Sequence, residues 1–313
     1  MSLPRIASLA LLLAIVPIVA SAEEPSRELL ASSKRILILG DSITAGGGYV
    51  VHFDAWLTGQ RLPQPPVVIN GGLASETVSG LSEEGHAGGQ FPRPDLFERL
   101  DRVLKLTKPD LVIACYGINC GIYQPLDEAR FAKYREGMTR LKSAVEQAGA
   151  KFVVMTPPFY DDLRTPKDDF QYNDVMAHYS KWLLSQREHG WRVIDLNGPM
   201  TAYVLKRRET DPKFTLQPDG VHPNDDGHWF MAQQLIAGFS PDDPAKRETP
   251  AEMRKRLNLS DEAFKLIQQR TNLRRDAYVG AAGHKRPGVA KGLPVDEAEA
   301  KAAELTERIK EGL

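Results

Sequence analysis

Five short apolar runs, spaced about 30 to 45 residues apart, constrain this chain more than any other feature. They are Arg35–Leu39, Val67–Ile69, Asp110–Ala114, Phe152–Met155 and Arg192–Leu196. Each is short for a buried helix but continuous enough in apolar residues to be a strand covered on both faces. Stretches with helical spacing lie between them. Asp95–Leu106 places Leu96, Leu100, Val103 and Leu104 on one face, and Asp127 is suited to cap a helix running to Gln147, with Gly149 as its stop. Asp174–Gln186 and Asp226–Ala237 read the same way. This alternation predicts an α/β chain, a three-layer α/β/α sandwich around a mainly parallel five-stranded sheet. Loops at the carboxyl ends of its strands are where function is expected.

The two ends of the chain differ from this pattern. Arg5 and the apolar run Ile6–Ala20 lead into Ala20-Ser21-Ala22, the small-x-small pattern that a signal peptidase accepts. The run is shorter than the roughly 20 residues a membrane-spanning helix needs. Residues 1–22 are therefore expected to be a signal peptide cleaved near Ala22, with export to the periplasm or beyond and no integral membrane segment afterwards. Residues 23–240 read as the α/β core and 241–313 as a helical C-terminal extension. Ser240–Pro250, with Pro241, Pro244 and Pro250, reads as a linker, Ser260 starts a helix, and a charged helix closes the chain from Val295 to Ile309.

Charge excludes one class. Lys and Arg number 40 against 41 Asp and Glu, a balance unlike that of a nucleic-acid-binding protein. The extension is locally basic, with 12 cations against 5 anions between Ala245 and Lys291. This reads either as a helical surface packed on the core or as a face for an acidic polysaccharide. The two cysteines, Cys115 and Cys120, would need a sharp reversal near Gly117 to bridge, so no disulfide is expected. His52, His178, His189, His228 and His284 show no metal-ligand spacing, and no metal site is expected. Nothing in the sequence speaks to oligomeric state.

Four motifs carry chemistry. Gly40-Asp41-Ser42-Ile43-Thr44 follows the first strand, where a serine would present its hydroxyl and its N–H at the start of a helix. Thr44 stands where the second glycine of a G-x-S-x-G elbow would be, so that motif is absent. Near the far end of the core, Asp219-Gly220-Val221-His222-Pro223 has an Asp three residues before a His, a spacing that lets the carboxylate orient the imidazole as a general base. Asn70–Thr77 follows the second strand and Tyr116–Gly121 the third; such loops can offer backbone and amide N–H groups to an oxyanion. Each motif alone is weak.

In order and context the four together resemble the sequence blocks of the SGNH (GDSL) hydrolase superfamily of esterases and lipases, most like its secreted carbohydrate esterases, over about Arg35 to Phe239. The resemblance implies a flavodoxin-like sheet and a carboxylic ester hydrolase. It implies Ser42 as nucleophile, His222 as base and Asp219 as its partner. The implied oxyanion hole is the N–H of Ser42, the N–H of Ser75 (with Gly72 the alternative) and the Asn119 side chain. It implies a two-step acyl transfer with no metal or cofactor. Two positions depart from the family's blocks: Ser75 stands where block two usually has glycine, and Cys120 where block three usually has Asp. A free Cys120 beside the oxyanion hole would make activity sensitive to thiol reagents.

The substrate is read more coarsely. His86, Tyr116 and Tyr123 are candidates for contact with it, alongside Phe159 and Tyr160. The absence of a long apolar lid, together with the resemblance, favours short acyl groups, chiefly acetyl, on a small molecule or polysaccharide. A lysophospholipase or thioesterase, or a noncatalytic glycan-binding protein using the same pocket, are the alternatives. Asn258-Leu259-Ser260 is a glycosylation sequon, meaningful only in a eukaryotic secretory route.

Overall fold

The computed structural model describes residues 26–167 and 169–311. The expected signal peptide, residues 1–22, lies outside the described residues. Five strands form one parallel sheet: β1 (Arg35–Gly40), β2 (Val67–Asn70), β3 (Leu111–Cys115), β4 (Lys151–Met155) and β5 (Arg192–Ile194), in the order β2-β1-β3-β4-β5. This is the flavodoxin-like order. The predicted strands all form, with ends displaced by one or two residues. Ile36 to Leu39 are fully buried, as expected for a central parallel strand with helices on both faces. From β1 the chain moves outward to β2, then crosses back to β3 on the other side of β1. The carboxyl ends of β1 and β3, where Gly40 pairs with Cys115, therefore flank the crevice at which such sheets bind ligands.

The described helices are α1 (Arg27–Ser32), α2 (Ser42–Gly46), α3 (Gly48–Gly59), α4 (Leu100–Thr107), α5 (Glu128–Gln147), α6 (Tyr172–Ser185), α7 (Asn197–Arg208), α8 (Asp225–Phe239), α9 (Pro250–Arg256), α10 (Asp261–Ala282) and α11 (Val295–Glu311). Asp127 caps α5 by accepting from the N–H of Arg130, and Ser260 caps α10 through that of Ala263. Two elements differ from expectation. The predicted helix Asp95–Leu106 is broken: a 3₁₀ turn, Leu96–Glu98, is separated from α4 by Arg99, which leaves helical geometry and sends its guanidinium inward. Ser240–Pro250 is not a solvated linker. Asp243 in it is buried, accepts from the Trp56 indole N–H at 3.0 Å and pairs with Arg256, and a 3₁₀ turn follows at Pro244–Arg247.

Two of the twelve basic residues between Ala245 and Lys291 are taken into the packing, while seven of them stay exposed. Arg270 and Arg274 are buried, the first paired with Asp54 on α3 and the second with Glu299 on α11, while Arg256 holds Glu248. Helix α10 lies against β2, α3 and α4 as well as α11. Among the described residues, no helix is long and apolar enough to cross a membrane.

Candidate active site

Ser42 is the first residue of α2, immediately beyond β1. Asp219 and His222 come from the loop ahead of α8, which is 180 residues away in sequence and folds back over the end of β1. His222 Nε2 lies 2.8 Å from Ser42 Oγ, and its Nδ1 lies 2.7 Å from Asp219 Oδ2. The other carboxylate oxygen of Asp219 accepts the N–H groups of Val221 and His222, at 2.9 and 2.7 Å. Burial raises the Asp219 carboxyl, but its bonds to the His222 ring and to these two amides outweigh that and hold it below the ordinary aspartate value. The turn requires glycine at 220: its φ is +86°, and a Cβ there would meet the Thr165 hydroxyl at 2.3 Å, the same hydroxyl that donates to Asp219 O. Both imidazole and carboxylate are half-exposed, at 50% and 57%, so the pair is open to solvent.

Asp41 caps α2 by accepting from the N–H of Ile43 at 3.0 Å. It is buried, and desolvation lifts its carboxyl to about 7, only partly offset by the Ile43 amide and the field of His222. The unfolded chain releases this proton near the ordinary value of about 3.9. Between those pH values the folded state binds more protons, so this group makes stability fall as pH rises toward 7 and contributes no further slope above it. Asp41→Asn preserves a capping oxygen and removes the charge. It is expected to melt several degrees above the parent protein at pH 8 and to lose that advantage toward pH 4, as thermal unfolding across this range would show. An advantage that is constant with pH would refute the assignment.

Ser75, the candidate second donor, has φ +68°, the left-handed geometry that explains why glycine is usual there. No acceptor among the described residues takes its N–H, whereas its carbonyl faces Arg93 Nη1 at 3.5 Å. Gly72, the alternative, is committed: its N–H donates to Asn70 Oδ1 at 2.9 Å. A Cβ at 72 would lie 2.4 Å from the Ala45 amide nitrogen, so glycine is there to let this loop lie against α2. Asn119 is buried, accepts from the Tyr123 hydroxyl at 2.9 Å and donates one amide hydrogen to Glu76 O at 3.3 Å, which leaves its second amide hydrogen to serve a ligand.

Tyr116 is not a substrate residue. It is fully buried and donates to Glu76 Oε2 at 2.6 Å, because Glu76 needs partners where it sits. Tyr123 is part-buried and donates its hydroxyl to Asn119 Oδ1. The hydrogen-bond partner of His86 is Glu83, and its ring stacks edge-on with Phe91, so it is brought to neither Ser42 nor Asn119. Sequence reasoning passed over the pair behind the block-two loop. Arg99 binds both carboxylate oxygens of Glu76, at 2.6 and 2.7 Å, and Gly71 O at 2.8 Å. Only the position of Glu76 within that block could have drawn notice.

Both cysteines are free and buried. Cys120, where an Asp is usual, is fully buried, and its loop is closed by the bond from its own N–H to Gly117 O at 2.8 Å. Burial pushes its thiol up to about 12, and that of Cys115 higher still. This overturns the expectation of thiol sensitivity. Iodoacetamide at pH 8 is expected to leave activity and mass of the folded protein unchanged and to alkylate both cysteines only after unfolding. Modification of Cys120 in the folded protein with loss of activity would contradict this. Among the described residues, no group of three or more His, Cys, Asp or Glu is placed to hold a metal ion.

Over residues 38–230 the sequence matches the GDSL-like lipase/acylhydrolase family. The fold and this match define the protein as a carboxylic ester hydrolase of the SGNH type. The chain belongs to the GDSL-like lipase/acylhydrolase family. Similar solved structures include a gut microbial diltiazem-metabolizing enzyme, with TM-score 0.52 and 21% identity over 71% of this chain and 48% of that one. This chain thus spans about half the length of that enzyme. The acetylxylan esterase Axe2 from Geobacillus stearothermophilus matches with TM-score 0.51 and 21% identity over 68% and 94% of the two chains. The acetyl xylan esterase AlAXEase matches with TM-score 0.52 and 21% identity over 65% and 98%. At these identities the likeness establishes the fold. No curated protein sequence matches the chain.

Proposed function

We propose that this protein is an exported serine esterase that removes short acyl groups, chiefly acetyl, from carbohydrate through a Ser42–His222–Asp219 acyl-enzyme. The observation that carries this reading is the unbroken contact from Asp219 Oδ2 through the His222 ring to Ser42 Oγ. His222 Nε2 takes the Ser42 proton as Oγ bonds to the ester carbon, and the carbonyl oxygen becomes an oxyanion. The N–H groups of Ser42 and Ser75 and the remaining amide hydrogen of Asn119 receive that charge. Each such donor contributes roughly 10²–10³ in turnover. Collapse of the intermediate breaks the bond to the alcohol oxygen, which leaves with the proton from His222. Water, deprotonated by His222, then attacks the acyl carbon and frees Ser42 and the acid.

The half-exposed His222 and Asp219 support a bulky alcohol such as a polysaccharide over a deeply enclosed acyl chain. Two of the fold relatives are acetylxylan esterases, which favours the same class. In this reading residues 1–22 direct export, 23–240 carry the chemistry and 241–313 form an extension joined to it by buried contacts. The test is acid release by the purified chain from acetylated xylan and from 4-nitrophenyl esters of two to twelve carbons. Preference for acetyl and for the polysaccharide supports the proposal; a maximum at long chains, or on lysophospholipid, defeats the substrate assignment. Binding of acetylated glycan with no acid released would defeat the esterase assignment itself.

A further inference from the structure

Helix α2 holds the nucleophile yet has only five residues, so almost none of its carbonyls can be satisfied within it. Ile43 O accepts from the N–H of Gly47 at 3.4 Å. Beyond that, Gly47 adopts φ +82° and the chain turns into α3, whose amides follow a new axis. The next two carbonyls therefore need side chains. Thr44 O accepts from Asn70 Nδ2 at 2.6 Å, the same amide whose oxygen holds Gly72 N–H, so one residue joins the serine turn to the block-two loop. Ala45 O accepts from Arg275 Nη1 at 2.9 Å. Arg275 sits on α10, 230 residues away and beyond the end of the family match at residue 230.

We propose that Arg275 is a positioning residue for the esterase reaction, and that the C-terminal extension takes part in catalysis by bracing the serine turn through it. This rests on the assignment of Ser42 as nucleophile. The guanidinium is itself held, by Asp276 Oδ1 at 2.8 Å and Asn272 Oδ1 at 3.2 Å. Its helix is pinned to α3, the continuation of the serine turn, where Asp54 receives Arg270 Nη2 at 3.0 Å and the Thr271 hydroxyl at 2.9 Å. A cation at the carboxyl end of α2 also complements the dipole whose positive end faces the Ser42 N–H. Without Arg275, Ala45 O has no partner, and α2 is free to tilt about its Asp41 end. That motion shifts both Ser42 Oγ and the first oxyanion donor relative to His222 and Ser75. A displacement of about 1 Å at a reacting atom can cost about 10²-fold in rate.

The experiment compares the mature full-length protein with Arg275→Ala and Arg275→Lys. It measures kcat and KM on 4-nitrophenyl acetate, the rate of Ser42 labelling by a fluorophosphonate, and deuterium uptake in the peptide spanning residues 40–48. Arg275→Ala is expected to lose about 5- to 20-fold in kcat and labelling rate, with KM within twofold and faster exchange over residues 42–47. Arg275→Lys, which keeps one donor, is expected to regain at least half of the loss on a logarithmic scale. Unchanged kcat and labelling in Arg275→Ala, or no recovery by lysine at equal melting temperature, would overturn the proposal. If the parent protein neither cleaves ester nor takes the probe, the esterase reading falls. The exchange arm then still decides the brace: unchanged uptake over 42–47 refutes it, and faster uptake upholds it.

Discussion

Replacing Ser42 with alanine is expected to lower kcat for acetyl ester hydrolysis by roughly 10⁴- to 10⁶-fold while leaving KM within a few-fold. The hydroxyl is the atom that bonds to substrate, and no other hydroxyl lies within hydrogen-bond reach of His222 Nε2 among the described residues. His222→Ala should match it, because a serine without its base is as inert as no serine. The double variant should be no worse than either, since the three residues act as one unit. Asp219→Ala should cost less, about 10³- to 10⁴-fold, because its carboxylate is more than half-exposed and water can partly replace it at Nδ1. That variant also frees the amides of Val221 and His222, so the imidazole loses its orientation as well as its partner. Steady-state kinetics with fluorophosphonate labelling checks the series. Ser42→Ala retaining more than about a hundredth of parental turnover, or labelling at another residue, would remove Ser42 from the mechanism.

How much of this was legible depends on whether a residue's neighbours are near in sequence. The strands are legible because burial on both faces forces an unbroken apolar run, and Ile36–Leu39 or Leu111–Ala114 can be little else. The chemistry is legible because Asp219 and His222 are three apart on one turn, and Ser42 follows a strand directly. Helix α3 is illegible for the opposite reason: Tyr49, Val50, Phe53 and Trp56 are all buried, with α8, α9 and α10 packed against the helix, so no polar face marks its period. Other misses are long-range. Arg99 reads as a polar position on an amphipathic helix, and its break becomes sensible only once Glu76, 23 residues earlier, is seen to need a cation. Tyr116 lay beside a strand in a motif, where a substrate role and a structural one look alike in sequence; the Glu76 carboxylate decides for the second. The basic count of the extension does not separate surface from packing: Arg270 and Arg274 point inward to Asp54 and Glu299, whereas Lys246, Lys255 and Lys265 stay exposed.

The Glu76–Arg99 pair should therefore show the largest effect on stability. Both side chains are essentially inaccessible, at 0% and 1%, and together they tie the two loops of the site through three bonds. Arg99 holds Gly71 O in the block-two loop, Glu76 receives Tyr116 from the block-three loop, and Glu76 O receives Asn119. Arg99→Met removes the counter-charge and leaves a buried carboxylate, a change that typically costs about 3–5 kcal/mol. For a chain of this size that corresponds to a melting temperature lower by about 5–8 °C. Desolvation already raises the Glu76 carboxyl despite Arg99 and Tyr116. Without Arg99 it rises further, so below that value the acid is neutral in the folded protein and the penalty shrinks. The defect of Arg99→Met should thus be larger at pH 8 than at pH 5. Glu76→Gln combined with Arg99→Met removes both charges and keeps an acceptor for Tyr116, so it should recover more than half of the lost stability. Turnover should recover less, because Gly71 O still lacks its donor and the loop bearing Ser75 is less firmly held. Calorimetry at the two pH values, with kcat on acetyl ester, separates these effects. A melting temperature for Arg99→Met within 2 °C of the parent at pH 8 would mean that the pair neither stabilises the fold nor organises the oxyanion loops.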